Sequence, residues 1–393
     1  MDYVCCWFKK AFDFIKHNPK IRCAFVATNS INQGEHISTF WQPLIDDGLI
    51  INFAYRPFKW LSDSVGMANV HCVIVGFSLI DNNDKRIFND DNTVENVNEI
   101  NAYLSDSRNF FVQSRTKPIC NVPEMMKGSM PTDDGNFIID GDELEDFIQK
   151  EPRAKPYIKP YLGAVEFINN KKRYCLWLKD VNPSEINKMP LVKERVRRVK
   201  EFRLKSKKQS TQKKAATPTI FDEIRQPETN YLLIPCHSSG TRKYIPLGFM
   251  SKDVISSNAN LIIPNATLYE FGILTSVVHM AWMRYVCGRL KSDYRYSKDI
   301  VYNNFPWPEK KQKATAKIES AARKILDIRE NYLQSGCSLA MLYGEDFDLI
   351  YNDLVKAHKE LDALVLALYG LDNNTSEEQI VAKLFEMYRE QVG

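Results

Sequence analysis

Long apolar runs are missing from this sequence. No stretch approaches the roughly 20 residues needed to cross a bilayer, so no membrane partner is expected. The opening residues, MDYVCCWFKKAFDFIKHNP, are amphipathic and carry an acid at position 2. They lack the apolar core and small-residue cleavage site of a secretory signal. Paired cysteine motifs are missing too. The nine cysteines are scattered, only Cys5 and Cys6 lie close together, and no Cys-x-x-Cys occurs. An odd count without such pairs argues against a zinc or disulfide framework and for a reduced, cytoplasmic protein. The acids Asp133, Asp134, Asp140, Asp142 and Glu143 match no calcium loop in spacing. They read as a solvated turn, and no metal is expected.

What is present is ordinary globular composition, 44% hydrophobic and 26% charged over 393 residues, enough for two or three domains. The net charge of +4 hides an asymmetry. Residues 193–214 hold eleven Lys/Arg against two Glu, a local +9, which leaves the remainder near −5. In VKERVRRVKEFRLK (192–205), Val192, Val196, Val199 and Phe202 recur at helical spacing. Two readings follow: a helix with one buried face and a solvated basic one, or a basic face that grips nucleic acid.

Along the chain, Val4, Phe8, Ala11, Phe12 and Ile15 mark a helix closed by His17-Asn18-Pro19. IRCAFVAT (21–28) is a continuous apolar run and reads as a strand buried on both faces. A second helix with Ile37, Phe40, Trp41 and Leu44 on one face follows Gly34. LIINFAY (49–55) and NVHCVIVGF (69–77) are further strands. That order is one end of an α/β sheet. Residues 81–150 are polar and rich in Asn and Asp. YLGAVEFI (161–168) and RYCLWLK (173–179) flank Asn169-Asn170-Lys171-Lys172 and predict a hairpin. TQKKAATP predicts a flexible joint. Short strands are expected at YLLIPC (231–236), YIPLGF (244–249) and NLIIP (260–264). Asn265 is placed to cap one long helix through Leu290. Beyond Pro306 and Pro308 two helical stripes appear: Ile318, Ala322, Ile325, Ile328, Tyr332, then Ile350, Leu354, Ala357, Leu361, Leu364, Leu368. Gly370 is a plausible stop. No internal repeat is evident.

Several stretches resemble the C-terminal two-thirds of MmeI-like restriction-modification DNA methyltransferases. They are AFVATNSINQGE (24–35), INFAYRPFKW (51–60), GSMPTDDGN (128–136), GAVEFINNKKRYCLWL (163–178), FGILTSVVHMAWMRYVCGRLKSDYRYS (271–297) and IVYNNFPWP (300–308). They come in the family's order. The resemblance implies three parts: 1–105, the C-terminal part of a Rossmann-like, S-adenosyl-L-methionine-dependent methyltransferase sheet; 106–310, a mixed α+β target-recognition domain; and 311–393, a helical C-terminal domain. It implies double-stranded DNA as partner and adenine-N6 methylation as the reaction of the complete enzyme. Two motifs of that chemistry are absent. There is no glycine-rich strand-to-helix turn for the methyl donor. There is no Asn/Asp-Pro-Pro-aromatic tetrapeptide; in Asn304-Phe305-Pro306-Trp307-Pro308 a phenylalanine splits the required pair. The expectation is that both lie upstream of Met1, that this chain alone binds no S-adenosyl-L-methionine, and that it methylates nothing by itself.

Candidate site residues follow from these stretches, from the join between two short strands at 237–244 and from the basic run. A flipped base needs an apolar wall. Phe58, placed after the strand LIINFAY, is the candidate, with Tyr55 as second choice; ordinary packing beside Trp60 is the alternative. Arg56 and Lys59 flank Phe58 and are candidates for phosphates, or else solvated surface charges. Asn29, in Thr28-Asn29-Ser30 at the carboxyl end of a strand, can line the cleft where ligands collect in α/β sheets, or simply lead into a helix. In His237–Tyr244, Arg242 is the candidate base reader, with Ser239, Thr241 and Lys243 beside it, because Arg forks onto guanine and hydroxyls bond bases or phosphates. An exposed hairpin tip is the rival reading. Arg289, Lys291, Arg295, Tyr296 and Lys298 look like a phosphate-gripping patch, or cations gathered at a helix end. Arg197 and Arg198 are the cations of the basic run expected to hold the DNA backbone. His279 is expected to be a packed core histidine. Rival functions are a non-catalytic specificity subunit working with a separate methyltransferase chain, a gene remnant, and a helical protein binding acidic partners through charge. In the specificity-subunit reading, residues 21–77 must complete a partner's sheet or expose an edge strand.

Overall fold

A computed structural model describes residues 2–60, 70–290 and 293–392. The N-terminal part is a five-stranded sheet with one helix layer. Helix α1 (Cys5–Ile15) buries Cys5, Phe8, Phe12 and Ile15. Phe8 packs on Phe25, Trp41 and Phe77, with ring centres 5.1–5.6 Å apart. After β1 (Cys23–Thr28) come a 3-10 turn (Asn29–Asn32), a single π-type turn (Ile37–Trp41) and α2 (Gln42–Asp46). Ile37, Phe40, Trp41 and Leu44 are buried as expected. Then follow β2 (Ile50–Trp60), β3 (Val70–Ser78), β4 (Lys85–Phe88) and β5 (Val94–Val97), in sheet order β1-β3-β2-β4-β5.

Two expectations are corrected here. β1 is not buried on both faces. It lies at the sheet edge, paired only with β3 among the described residues, and Val26 is 51% exposed. An apolar run shows that a strand wants cover, not that cover is present. The strand expected at 49–55 runs on to Trp60. Pro57, which has no N–H to give, falls in an irregularity between Tyr55 and Phe58, where the ladder needs none.

The middle part holds two β modules. The first combines β6 (Met126–Lys127) with three later strands. The second contains β7 (Ile138–Asp140), β8 (Ile158–Leu162) and β9 (Arg173–Leu176), with α3 (Leu144–Lys150) and α4 (Ala164–Asn169) between them. The predicted hairpin is half right. β8 and β9 do pair antiparallel, yet Ala164–Asn169 is a helix. Gly163 is extended, and the Glu166 carboxylate accepts from its N–H at 2.8 Å, which starts a helical turn. Asn170, at φ 54°, ends it.

After α5 (Pro183–Asn187), helices α6 (Pro190–Leu204) and α7 (Gln209–Lys213) carry most of the basic run. Val192 and Val199 are buried, but Phe202 is exposed, and Arg203 takes the interior position beside it. Its guanidinium donates to five carbonyls, those of Pro131, Thr132, Lys214, Thr217 and Ile220, at 2.8–3.1 Å. Two of these, Lys214 and Thr217, belong to the segment predicted as a flexible joint, which is therefore pinned. Asp133 is also buried rather than solvated, its carboxylate capping the Phe137 N–H at 2.6 Å.

Strands β10 (Tyr231–Pro235), β11 (His237–Ser238), β12 (Gly248–Met250), β13 (Ile255–Ser256) and β14 (Asn260–Pro264) follow, with sheets ordered β12-β10-β14-β6 and β13-β8-β9-β7. The long helix predicted for 265–290 is two helices, α8 (Leu268–Leu274) and α9 (Val277–Val286). Thr267, not Asn265, caps the first through a reciprocal pair with Glu270, and Asn265 is left-handed at φ 55°. Ser276 caps the second. The chain then leaves the helix for β15 (Gly288–Leu290) and β16 (Asp293–Arg295).

The tail is helical: α10 (Gln312–Gln334), α11 (Leu339–Leu342), α12 (Phe347–Ile350), α13 (Asn352–Leu368) and α14 (Glu377–Val392). Ile318, Ala322 and Ile325 are buried as predicted. Arg329 continues that interior face, while Ile350 is exposed because it belongs to α12 and not to the α13 stripe. Gly370, at φ 72°, follows the end of α13. Phe385 and Tyr388 of α14 return onto Trp282 of α9, so tail and middle part share one core.

Candidate nucleic-acid interface

A cleft of about 830 Å³ opens where the three parts meet. The N-terminal sheet gives it Asn29, Asn32 and Gln33, from the turn after β1, and Arg56, Pro57 and Lys59 of β2. The middle part gives Ser239, Gly240, Thr241, Arg284, Arg289 and Asp293. The tail gives Glu345 and Glu377. Asn32 donates to the Ala102 carbonyl at 2.8 Å. Its own Oδ1, the Gln33 Oε1 and the Tyr103 hydroxyl are buried at this wall without a hydrogen-bond partner among the described residues. Leaving such atoms unpaired costs about 1–3 kcal/mol each, a cost that a ligand or water can relieve.

The two stretches predicted to hold DNA come together. β11 pairs with β16 (His237 with Arg295, Ser238 with Tyr294), and β16 pairs with β15. The loop after β11 and the hairpin β15–β16 thus belong to one three-stranded sheet beside the cleft. Ser239 and Thr241 share a hydrogen bond of 2.9 Å, and Asp293 accepts from the Gly240 N–H at 3.3 Å. Arg242 is half-buried and reaches Ser238 Oγ at 3.2 Å, while its Nε has no partner among the described residues. Burial lowers its pKa. The Arg289 guanidinium lies 4.4 Å over the Tyr294 ring.

Other candidates are placed differently. Lys243 pairs with Asp348 of the tail at 3.1 Å. Arg295 is exposed on β16, and Lys298 pairs with its neighbour Asp299 at 2.5 Å. Lys291 lies outside the described residues. Tyr296 is no surface aromatic. It is buried, with its hydroxyl 2.8 Å from His279 Nε2. Burial pushes His279 down to about 3, so it is a neutral core histidine, as expected. Asn29 is buried at the cleft wall. Tyr55 and Phe58 are not part of that wall among the described residues. Tyr55 stacks on Phe88 at 4.3 Å, and Phe58 sits beside Tyr55 and Trp60 at about 6.5 Å. Arg56 is bound to Leu104 O, Asn89 and Glu95, so its charge is already shared. Arg197 and Arg198 are exposed on α6, paired with Glu194 and, for Arg197, also Glu201.

Sequence reasoning missed Arg284, Asp293, Glu345 and Glu377, whose place depends on contacts distant in sequence. Asn32 and Gln33 could have been found, since they lie in the same motif as Asn29. Among the described residues no group of His, Cys, Asp and Glu could hold a metal ion, and no helix is long and apolar enough to cross a membrane.

The model of the MmeI target recognition domain matches residues 106–309, more than half of the chain. This chain belongs to the MmeI family. The family's DNA-methyltransferase domain matches residues 1–89 and its C-terminal domain residues 309–393. DNA methyltransferase A of Bacillus subtilis (strain 168) is 40% identical over 391 residues, which is 99% of this chain and 44% of that protein. A solved structure of the Type IIL restriction-modification enzyme MmeI in complex with DNA superposes with a TM-score of 0.94 at 45% identity, over 100% of this chain and 52% of that one. The chain therefore spans about half the length of these MmeI-family relatives.

Proposed function

We propose that this chain is the DNA-recognition part of a site-specific adenine-N6 methyltransferase of a restriction-modification system. The observation that carries the reading is the convergence on one cleft of the loop after β11, the hairpin β15–β16 and the turn that holds Asn29. A duplex seated there would be read by Ser239, Thr241 and Arg242, and held along its backbone by Arg289, Arg295 and Lys59. Arg197 and Arg198 would add grip without sequence information. The adenine would leave the helix toward the cleft floor at Asn29, with Phe58 or Tyr55 supplying a stacking wall in the complete enzyme. The relation of this chain to a DNA-bound MmeI structure supports the partner, and the methyltransferase relative supports the reaction class.

S-adenosyl-L-methionine is the methyl donor that the family implies. The residues of this chain do not fit it. The strand β1 leads into a 3-10 turn rather than a glycine-cradled helix start. The glycine there, Gly34 at φ +56°, has its open side against Gly288, 3.2 Å from where a Cβ would lie. The isolated chain is expected to be inactive. The exposed edge of β1 suits completion by the rest of a methyltransferase sheet. The relatives carry this half within chains about twice as long, which gives the separate-subunit alternative no support.

Selection from a pool of randomised duplexes tests the reading. Enrichment of one sequence, bound at least tenfold more tightly than its scrambled form and weakening steeply with salt, is expected. Equal affinity for all duplexes would overturn recognition. Methyl transfer or stoichiometric donor binding by the purified chain would overturn its inactivity.

A further inference from the structure

The segment that follows β11 has two arms. Residues 239–241 face the cleft. Residues 243–247 are not part of its lining, and they are fastened to the helical tail at successive points. The Lys243 ammonium pairs with Asp348 of α12 at 3.1 Å. The Lys243 carbonyl accepts from Arg284, whose guanidinium forks onto Glu377 of α14 at 2.7 and 2.8 Å. The Tyr244 ring stacks on His358 of α13 with centres 4.2 Å apart, and its hydroxyl donates to Asp362 Oδ2 at 2.6 Å. The Leu247 carbonyl accepts from Arg329 of α10 at 2.7 Å.

Asp362 stands at the centre of this arrangement. Its second oxygen accepts from the Val277 N–H at 2.7 Å, at the first turn of α9. One buried carboxylate thus joins three things: the tail helix it belongs to, the start of the helix that leads to the hairpin β15–β16, and the rear of the loop after β11. Tyr244, Asp362 and His358 are all nearly inaccessible to solvent. A buried bond of this kind holds geometry in a way that an exposed ion pair such as Lys243–Asp348 does not. Side chains that discriminate bases must be held to within about 0.5 Å, and loops achieve this only when their ends are fixed from behind.

We infer that the helical tail is a positioning element for base discrimination, acting through Asp362 and Tyr244 on the loop residues 239–242, although neither residue faces the cleft. The inference rests on the proposal that this loop reads bases. It makes the tail a determinant of which sequence is chosen, in addition to any part it plays in stability.

The experiment uses the whole chain and the duplex enriched from the randomised pool, with a panel of its single-base-pair substitutions. Tyr244→Phe keeps the ring on His358 and removes only the bond to Asp362. Its discrimination should fall about three- to tenfold at the same base pairs that Ser239→Ala and Thr241→Ala affect. Its affinity for random duplex and the salt dependence of that affinity should stay within twofold of the parent. Asp362→Ala should relax the same base pairs further, and Asp348→Asn should have little effect. A Tyr244→Phe protein with a lower melting temperature and an unchanged discrimination profile would overturn the inference and leave the tail a support only. Equal loss at every base pair would overturn it as well. If Ser239→Ala, Thr241→Ala and Arg242→Ala all leave discrimination intact, the loop does not read bases, and both the reading and this inference fall. Should Asp362→Ala not fold, Tyr244→Phe alone decides.

Discussion

Two regions of this molecule carry positive charge, and they use it in different ways. The segment 193–214 holds eleven cations in twenty-two residues. The cleft wall, among the described residues, draws on Arg56, Lys59, Arg284 and Arg289, from positions far apart in the chain. On the helix α6 much of the charge is already spent. Arg203 is buried among five carbonyls, Arg195 donates to the Asn136 and Ile138 carbonyls, and Arg197 and Arg198 are paired with Glu194. In the cleft Arg56 and Arg284 are paired as well, with Glu95 and Glu377, but the pairs stand beside hydroxyls, buried amide oxygens and a shaped groove. A dense basic run therefore marks attraction at most, whereas a few cations set among oriented polar groups can discriminate.

The sharpest break in this contrast is Arg203→Met. It takes the guanidinium away from five carbonyls, of which those of Pro131, Lys214 and Thr217 keep a main-chain donor, and stability should fall by more than about 3 kcal/mol in urea unfolding. A loss below about 1 kcal/mol would return Arg203 to the surface charges. The acids show the same contrast with opposite signs. Burial pushes Asp362 up to about 6, while the hydrogen bonds from Arg197 and then Arg198 pull Glu194 down to about 2. The raised Asp362 gives stability that is fully present below about pH 4 and lost as pH rises through 6, on the order of 2–3 kcal/mol. The lowered Glu194 gives stability present above its usual range near 4.5 and lost as pH falls toward 2. Asp362→Asn should flatten the pH 4–6 limb of a melting-temperature profile, and Glu194→Gln should leave that limb in place.

Arg242→Ala should cost about 1–3 kcal/mol of discrimination at one base pair, read from competition between single-substituted duplexes. A uniform loss would make Arg242 a phosphate-binding group. The smallest effect is expected on α6. Arg197→Ala and Arg198→Ala should weaken binding equally for all sequences, reducing the slope of log affinity against log salt by about 0.9 for each phosphate that is no longer neutralised. Stability should change by less than about 0.5 kcal/mol. A sequence-dependent loss would place α6 in the reading surface and erase the contrast.

The N-terminal element order, the meeting of the two stretches beside the cleft and the core histidine were legible in the sequence, because hydrophobic periodicity and local motif carry them. What was not legible depends on distant partners. Arg203 reads as one more surface cation until Pro131 and Thr132, about seventy residues earlier, are seen to need its donors. Ala164–Asn169 alternates too little to separate a helical turn from a strand, and the carboxylate of Glu166 decides it. The division of 268–286 into two helices comes at the serine cap Ser276. Glu345 and Glu377 reach the cleft only because the tail folds back over α9. The apolar β1 announced a buried strand, and the described chain leaves it at an edge.

The approach of Gly34 to Gly288 has a consequence for how specificity changes. The turn that carries Asn29 and the first residue of the hairpin β15–β16 meet main chain to main chain, with no side chain between them. On the proposed reading, the offset between the bases read beside the hairpin and the base presented at the Asn29 turn is then fixed by the fold itself. On that reading, exchange of Ser239, Thr241 or Arg242 would change the sequence chosen while the modified nucleotide keeps its distance from the site. A β-carbon at position 34 is the change that would let that ruler slip.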